Sequence, residues 1–298
     1  FIDQYGQMYG FQDLTGNWPR SGVKFNQKEE VLWLQGDSPD YLNPHEFKQI
    51  PNGNFMGCAN ILELGPIPIG EWTPIFQTIG YVADGITNEF PWLGQELIEI
   101  DKNTKEIIWS WNVFDNFTKE DYDTRVNGFF EALNLNRFDW THFNSFFFDE
   151  GDSSIYISFR NLSRIIKIDY PSGNIIWMMG LDYPYMASGN NHICTELEFS
   201  YQHHIQKLNN GNLLFFDNGN LSTQLFNEVY PISRILEINV IDNSLCEVVY
   251  EYPLPSSLFS TAMGSVQSLD NNNYLINSIA GNGKVFEVNQ NKNIVWES

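Results

Sequence analysis

Gln202-His203-His204-Ile205-Gln206-Lys207-Leu208-Asn209-Asn210-Gly211-Asn212 reads as a strand running into an Asn-Gly-Asn turn. Asn and Gly accept cheaply the positive φ that such a turn requires. The pattern returns at Pro44-His45-Glu46-Phe47-Lys48-Gln49-Ile50-Pro51-Asn52-Gly53-Asn54, and in both places a histidine stands eight residues before the glycine. In Asp139-Trp140-Thr141-His142-Phe143-Asn144-Ser145 the histidine stands nine before Gly151 of the turn Asp149-Glu150-Gly151-Asp152, one residue more than in the other copies. A fourth copy, Gly264-Ser265-Val266-Gln267-Ser268-Leu269-Asp270-Asn271-Asn272-Asn273, has glycine in the histidine's place. Three of the five histidines therefore share one register of one repeat.

A second element, a short β run carrying Trp, first stands at Val31-Leu32-Trp33-Leu34-Gln35-Gly36 and recurs downstream of each copy. Leu97-Ile98-Glu99-Ile100-Asp101 precedes a run through Trp109, Ile165-Ile166-Lys167-Ile168-Asp169 precedes Trp177, Ile235-Leu236-Glu237-Ile238-Asn239 precedes Tyr250, and Val285-Phe286-Glu287-Val288-Asn289 precedes Trp296. Each pair reads as a hairpin whose Trp or Tyr can wedge between neighbouring sheets. The unit is then four strands, and four-stranded sheets repeated radially make a β-propeller, in which side chains of one register meet near a common axis. The spacing from His142 to His203 to Gly264 is 61 residues twice, but His45 to His142 is 97, which predicts a weakly marked unit around Ile75–Trp92. The expected fold is all-β, a six-bladed β-propeller of four-stranded antiparallel blades, as one domain over 1–298. Residues 1–30 are expected to be an irregular arm with at most one strand. The segment before His45 is expected to complete the sheet of the last strand, through Trp296, and so remove an open edge. The segments Asp115–Asn136 and Asp182–Phe199 fall outside the repeat; the first has room for a short helix, and both are expected as rims above the histidines.

Composition narrows the function classes. With 37 acidic and 16 basic residues the net charge is -21, which argues against nucleic acid or an anionic membrane surface as partner. Aromatic residues make up 15% of the chain, which leans to β-structure. No apolar run of about 20 residues is present, so no membrane span is expected. The chain starts at Phe1 without Met and without a visible signal segment, as expected of a processed or a trimmed start. Cys58, Cys194 and Cys246 are widely spaced, which excludes a Cys-x-x-Cys zinc site and allows at most one disulfide. No metal and no cofactor are expected.

The stretch Asp139 to Ser145, followed by Ile155-Tyr156-Ile157-Ser158-Phe159-Arg160, Ile165 to Asp169 and Ile176-Trp177-Met178-Met179-Gly180, resembles the bacterial arylsulfate sulfotransferases. So do Gln202-His203, Phe216-Asp217-Asn218-Gly219 and Ser233-Arg234. The likeness runs from about His45 to the C-terminus. It implies a six-bladed propeller that moves a sulfuryl group from an aryl sulfate donor to a phenolic acceptor without 3′-phosphoadenylyl sulfate. It also implies that His203 is the nucleophile that becomes sulfated, and that His45, His142, Asn144 and Arg160 hold the sulfuryl oxygens. It further implies a periplasmic or extracellular location.

The residue types suit that chemistry. A neutral imidazole is a good nucleophile, and a covalent intermediate divides one hard transfer into two easier ones. A sulfuryl group in transfer spreads negative charge over three oxygens, so placement and charge stabilisation dominate, and the fixed fork of Arg160 suits it. Asn144, two residues beyond His142 on an extended strand, is expected on the same face. His45 or His142 is expected to manage the proton of the phenol. Trp140, Phe143 and Tyr201 flank these residues as candidate substrate-binding aromatics. His204 alternates to the other side of its strand and is expected to pack, and His192 to lie on a solvent-exposed loop. Larger relatives carry an N-terminal β-sandwich that assists dimer formation and a disulfide from closely spaced cysteines; neither is carried over here. Two other readings fit a propeller, a quinoprotein-type dehydrogenase and a non-catalytic extracellular binding or structural module. The first lacks an adjacent cysteine pair and an acidic metal cluster; the second does not call for three register histidines.

Overall fold

The computed structural model describes residues 6–13, 20–36, 42–123, 128–181, 187–279 and 283–298. The chain divides into two compact units, Phe1–Phe143 and Asn144–Ser298. Its fold class is all-β, of the propeller type, with consecutive antiparallel blades of mostly four strands. The first sheet holds β1 (Met8–Asp13), β2 (Arg20–Phe25) and β3 (Val31–Leu34). The second holds β4 (Leu42–Gln49), β5 (Phe55–Gly65), β6 (Phe90–Ile100) and β7 (Ile107–Asn112), with the short β8 (Phe138–Asp139) parallel to β6. The third is β9 (Phe143–Asp149), β10 (Ser154–Phe159), β11 (Arg164–Asp169) and β12 (Ile175–Gly180). The fourth is β13 (His203–Lys207), β14 (Leu213–Asp217), β15 (Arg234–Ile241) and β16 (Leu245–Pro253). The fifth is β17 (Ser265–Ser268), β18 (Tyr274–Ser278), β19 (Lys284–Val288) and β20 (Ile294–Glu297).

Five sheets are present among the described residues, not the six expected, and the reason lies in the long gap between His45 and His142. The residues expected to hide a unit around Ile75–Trp92 belong to the connection between β5 and β6 and to the start of β6. That connection carries α1 (Thr73–Thr78), and β5 and β6 pair along eleven residues each. Two further helices, α2 (Val113–Asn116) and α3 (Gly128–Leu135), lengthen the path from β7 to β9. A long hairpin and its helices thus fill the extra length, with residues 124–127 outside the description.

The N-terminal expectation is also corrected. Where an irregular arm was expected, β1 and β2 pair over six residues and β3 joins them, so these residues form their own sheet. Residues 1–5 and 14–19 of that arm lie outside the description. The fifth sheet draws all four strands from residues 265–297 and takes none from the N-terminal segment.

A shared irregularity shows that the five sheets are copies. In each, the residue of the last strand but one that faces Trp or Tyr is followed by a register shift: Lys24 faces Trp33, Glu99 faces Trp109, Lys167 faces Trp177, Glu237 faces Tyr250 and Glu287 faces Trp296. A bulge at that point sharpens the twist of the hairpin. In the second, fourth and fifth sheets the glutamate is gripped by both asparagines of the preceding turn. Glu99 accepts from Asn52 and Asn54, Glu237 from Asn210 and Asn212, and Glu287 from Asn271 and Asn273. In the third sheet both partners change, and Lys167 donates to Asp152 over 2.6 Å. Burial raises the Asp152 carboxyl, but the hydrogen bonds from Lys167 and Ser154 outweigh it and hold the group below its ordinary range.

The wedge expectation holds for three of the aromatics. Trp33 stacks on Phe55 at 3.7 Å, Trp177 is buried with Leu213, Phe215 and Leu236 of the fourth sheet, and Tyr250 stacks on Tyr274 of the fifth at 4.4 Å. Trp296 departs from it, being 49% exposed on the outer edge strand β20. Trp109 is half-buried.

Candidate functional site

In the unit ending at Phe143, His45 and His142 meet edge to face with ring centroids 4.8 Å apart. His45 lies in β4 where the pairing with β5 slips between Leu42 and Phe47. Buried Asn43 governs it: the Asn43 Oδ1 accepts from the His45 backbone N–H at 3.1 Å and faces the ring Nδ1, while its Nδ2 donates to Asn60. That second bond fixes which end of the amide faces the imidazole, so His45 carries its hydrogen on Nδ1.

His142 is placed by the extended hairpin. Strand β8 runs beside Trp92 and Leu93 of β6, the Trp140 N–H donates to the Leu93 carbonyl, and buried Gln95 accepts from both the Thr141 hydroxyl and the Phe143 N–H. The turn thus held puts His142 at φ 52, in the left-handed region. Strand β9 starts one residue later, so the strand alternation expected to align His142 with Asn144 does not apply. The Asp139 carboxylate faces the His142 Nδ1, with the two side chains 27% and 25% exposed.

In the other unit His203 opens β13, again beside a register shift, here between His203 and Gln206. It is 6% exposed. Its Nδ1 faces the Asn218 Oδ1 at 2.7 Å and the Tyr201 carbonyl at 3.0 Å, and its Nε2 accepts the Met263 N–H at 3.2 Å. Arg160 lies over the Tyr201 ring at 4.5 Å and donates to Asn161 and to the Thr261 carbonyl. Asn144 is buried and donates to the Gln202 carbonyl at 2.7 Å, which ties it to the residue before His203. Beneath them buried Asp217 accepts from Ser200 N–H, Gly219 N–H and Arg234 Nε, holding the segments that carry His203 and Asn218. Burial disfavours the Arg234 charge, but the attraction of Asp217 and the hydrogen bonds that Arg234 donates to Asp217 and Glu251 outweigh it and raise the guanidinium above its ordinary range.

The histidine register is interrupted in the fifth sheet for a steric reason. Gly264 has φ 106, and a Cβ there would come within 2.7 Å of the Phe216 ring, so only glycine fits.

Each unit thus assembles its own group, His45 with His142 in one and His203 with Asn144, Arg160 and Tyr201 in the other. The three aromatic candidates, Trp140, Phe143 and Tyr201, are all buried. Trp140 has no exposed surface, packing on Trp92 and Phe114 with its indole N–H donated to the Asp121 carbonyl; Phe143 is 2% exposed; Tyr201 is fully buried and its ring backs Arg160. Large apolar rings gain most by leaving water, so here they support the polar groups rather than face outward. His204, at φ 58, meets Gln206, and His192 is half-buried with its Nδ1 on the Leu181 carbonyl. Cys194 and Cys246 form a disulfide across 52 residues, a cross-link left open by their spacing, and Cys58 is free and buried. Sequence reasoning missed Asn43, Asp139 and Asn218. The first two lie two and three residues before their histidines and were open to a local reading; Asn218 lies 15 residues from His203 and needed the fold.

The fold and these groups define a propeller-class protein with paired imidazoles in one unit and a buried, oriented imidazole near a guanidinium in the other. The sequence matches the arylsulfotransferase (ASST) family over residues 82–296, well over half of the chain, so the chain belongs to that family. His142, Asn144, Arg160 and His203 fall inside the matched region and His45 before it. No curated protein matches the sequence. Among solved structures, a protein of unknown function from Bacteroides caccae is 11% identical with a TM-score of 0.45, over 93% of this chain and 74% of that one. Virginiamycin B lyase from Staphylococcus aureus is 14% identical with a TM-score of 0.47, over 100% and 68%. A putative 6-phosphogluconolactonase from Bacteroides uniformis is 9% identical with a TM-score of 0.42, over 100% and 82%. Likeness at this level says nothing about activity.

Proposed function

We propose that the protein transfers a sulfuryl group from an aryl sulfate to a phenolic acceptor, without a nucleotide donor, through a sulfated His203. Membership of the arylsulfotransferase family supports sulfotransferase activity in general. The observation that carries the finer reading is the setting of His203: acceptors at Nδ1 hold the hydrogen there, and the Nε2 lone pair, which gives up the Met263 N–H as it attacks, is the nucleophile. In the first step that pair attacks sulfur, the bond from sulfur to the aryl oxygen breaks, and its electrons leave on the phenolate, which takes a proton. In the second step the acceptor oxygen attacks sulfur, the N–S bond breaks, its electrons return to Nε2, and the acceptor's proton goes to a base.

Arg160, aligned by Tyr201, and Asn144 offset the charge on the sulfuryl oxygens. His142 handles the proton in preference to His45, because an imidazolium gains from a facing carboxylate and Asp139 supplies one, whereas His45 faces an amide. His45 holds sulfuryl oxygens beside it. The Cys194–Cys246 disulfide supports a periplasmic or extracellular location. Among the described residues no helix is long and apolar enough to cross a membrane.

The test is pre-steady-state. Mixing with 4-nitrophenyl sulfate is expected to release a burst of nitrophenol equal to enzyme and to leave one SO3 unit on a peptide containing His203. The absence of both release and adduct, across a panel of aryl sulfates, sinks the reading.

A further inference from the structure

We infer that Asn218 is the positioning residue that holds His203 in the tautomer its chemistry requires. The inference rests on the reading of His203 as nucleophile, while its structural part stands alone. Asn218 is fully buried at the end of the β14 strand and its following turn. Its Nδ2 donates to two carbonyls, Ser260 at 2.8 Å and Met263 at 2.7 Å. A carbonyl oxygen placed at either point would face another carbonyl, so the amide has one admissible orientation and its Oδ1 must face His203. That oxygen lies 2.7 Å from the His203 Nδ1 and can only accept. On the far side of the ring the Met263 N–H can only donate, and it points at Nε2 over 3.2 Å. The two ends of the imidazole are therefore specified independently, hydrogen on Nδ1 and lone pair on Nε2.

When Nε2 accepts a sulfuryl group the ring takes on positive charge, and the Nδ1–H is then shared between the Asn218 and Tyr201 oxygens. Asn218 thus acts on the reaction through His203 without touching the substrate. The same side chain binds the Ser260–Met263 segment to the imidazole, because its two donated bonds end on that segment and Met263 closes the circuit at Nε2. The conformation there is unusual for its residue types, with Met263 at φ 59 and Tyr201 at φ 60, so both flanks of His203 are held in the left-handed region. Such positions persist only where the surroundings over-determine them.

The test has a readout besides activity. Nitrogen-15 NMR of histidine-labelled protein is expected to show His203 as the Nδ1–H tautomer. Asn218→Ala is expected to move it toward the Nε2–H form and to lower kcat for aryl-sulfate turnover by about 10–100-fold, as loss of an imidazole-orienting partner does, with KM little changed. Asn218→Asp keeps an acceptor at Nδ1 and, with its second oxygen protonated between the Ser260 and Met263 carbonyls, is expected to retain the tautomer and more of kcat than Asn218→Ala, and it serves if the alanine variant does not fold. A His203 that stays Nδ1–H in Asn218→Ala, or that turns to Nε2–H in Asn218→Asp, overturns the inference. Should the wild-type protein turn over no aryl sulfate, the proposed function falls while the tautomer measurement still decides the role of Asn218.

Discussion

Two of the three register imidazoles face an asparagine amide and the third an aspartate, although the partner lies two residues before His45, three before His142 and 15 after His203. His45 and His203 present Nδ1 to the amides of Asn43 and Asn218, whereas His142 presents it to the carboxylate of Asp139. The turn that follows repeats the change: Asp152 stands where Asn54, Asn212 and Asn273 stand, and Lys167 takes the place of Glu99, Glu237 and Glu287. The repeat preserves the contact and lets its charge vary. An amide fixes a ring or a carboxylate without adding charge, while a carboxylate also favours a cation opposite it, an imidazolium in one case and an ammonium in the other.

The largest expected effect is on the amide-held imidazole. His203→Ala should abolish both transfer and the covalent adduct, a loss of about 10⁴-fold or more, as when a nucleophile is removed. Persistence of the adduct on another residue in this variant would move the nucleophile elsewhere. Asp139→Asn converts the odd copy to the common type. It should lower kcat by about 100-fold, the scale of one general acid–base group. A kcat equal to wild type would deny His142 the proton-handling role. A smaller loss, about 10-fold, is expected for Arg160→Lys, which keeps the charge but not the planar fork lying on Tyr201. Equal kcat and KM in that variant would show that the fork is not used.

The smallest effect is on stability. Lys167→Glu sets a third carboxylate near Asp149 and Asp152 and should cost about 1 kcal/mol by screened repulsion, whereas Lys167→Glu with Asp152→Asn supplies one of the two asparagines of the common clamp, Glu150 standing in place of the other, and should recover part of it. The pH dependence separates the two designs. For Lys167 burial alone would lower the group, but the bond to Asp152 prevails and its folded pKa is raised. Its contribution is therefore complete below the unfolded value of about 10.4 and is lost as pH rises through the folded value. Asp152, held low when folded, contributes above its unfolded value of about 3.9 and loses that contribution as pH falls through its folded value. Thermal unfolding against pH should show an alkaline loss in the wild type that shrinks in the double variant. An undiminished alkaline loss would place its origin elsewhere.

Much of the architecture was legible because it is written locally. Alternating runs, Asn-Gly turns and recurring Trp marked four of the five sheets, since each needs only neighbouring residues to specify strand or turn. The count of blades was not legible. Residues 66–89 have the apolar content of a hidden blade, and only their return to β6 shows them to be the connection within a hairpin. The first sheet was half seen: the run through Trp33 was read as a strand, while Gly22-Val23-Lys24-Phe25 was not recognised as its partner.

By itself the sequence determined that the chain repeats a strand-and-turn unit, that three histidines share a register of it, and that their surroundings match a sulfotransferase family. Those properties follow from spacing and side-chain type. Only the tertiary structure decided which oxygen faces each imidazole, that Trp140, Phe143 and Tyr201 are buried, and that Cys194 joins Cys246. Hydrogen-bond partners such as His203 and Asn218, separated by 15 residues, meet only when strands pair. The register shifts that aim each ring arise from the fit of one whole strand on its neighbour, which no single stretch of residues specifies.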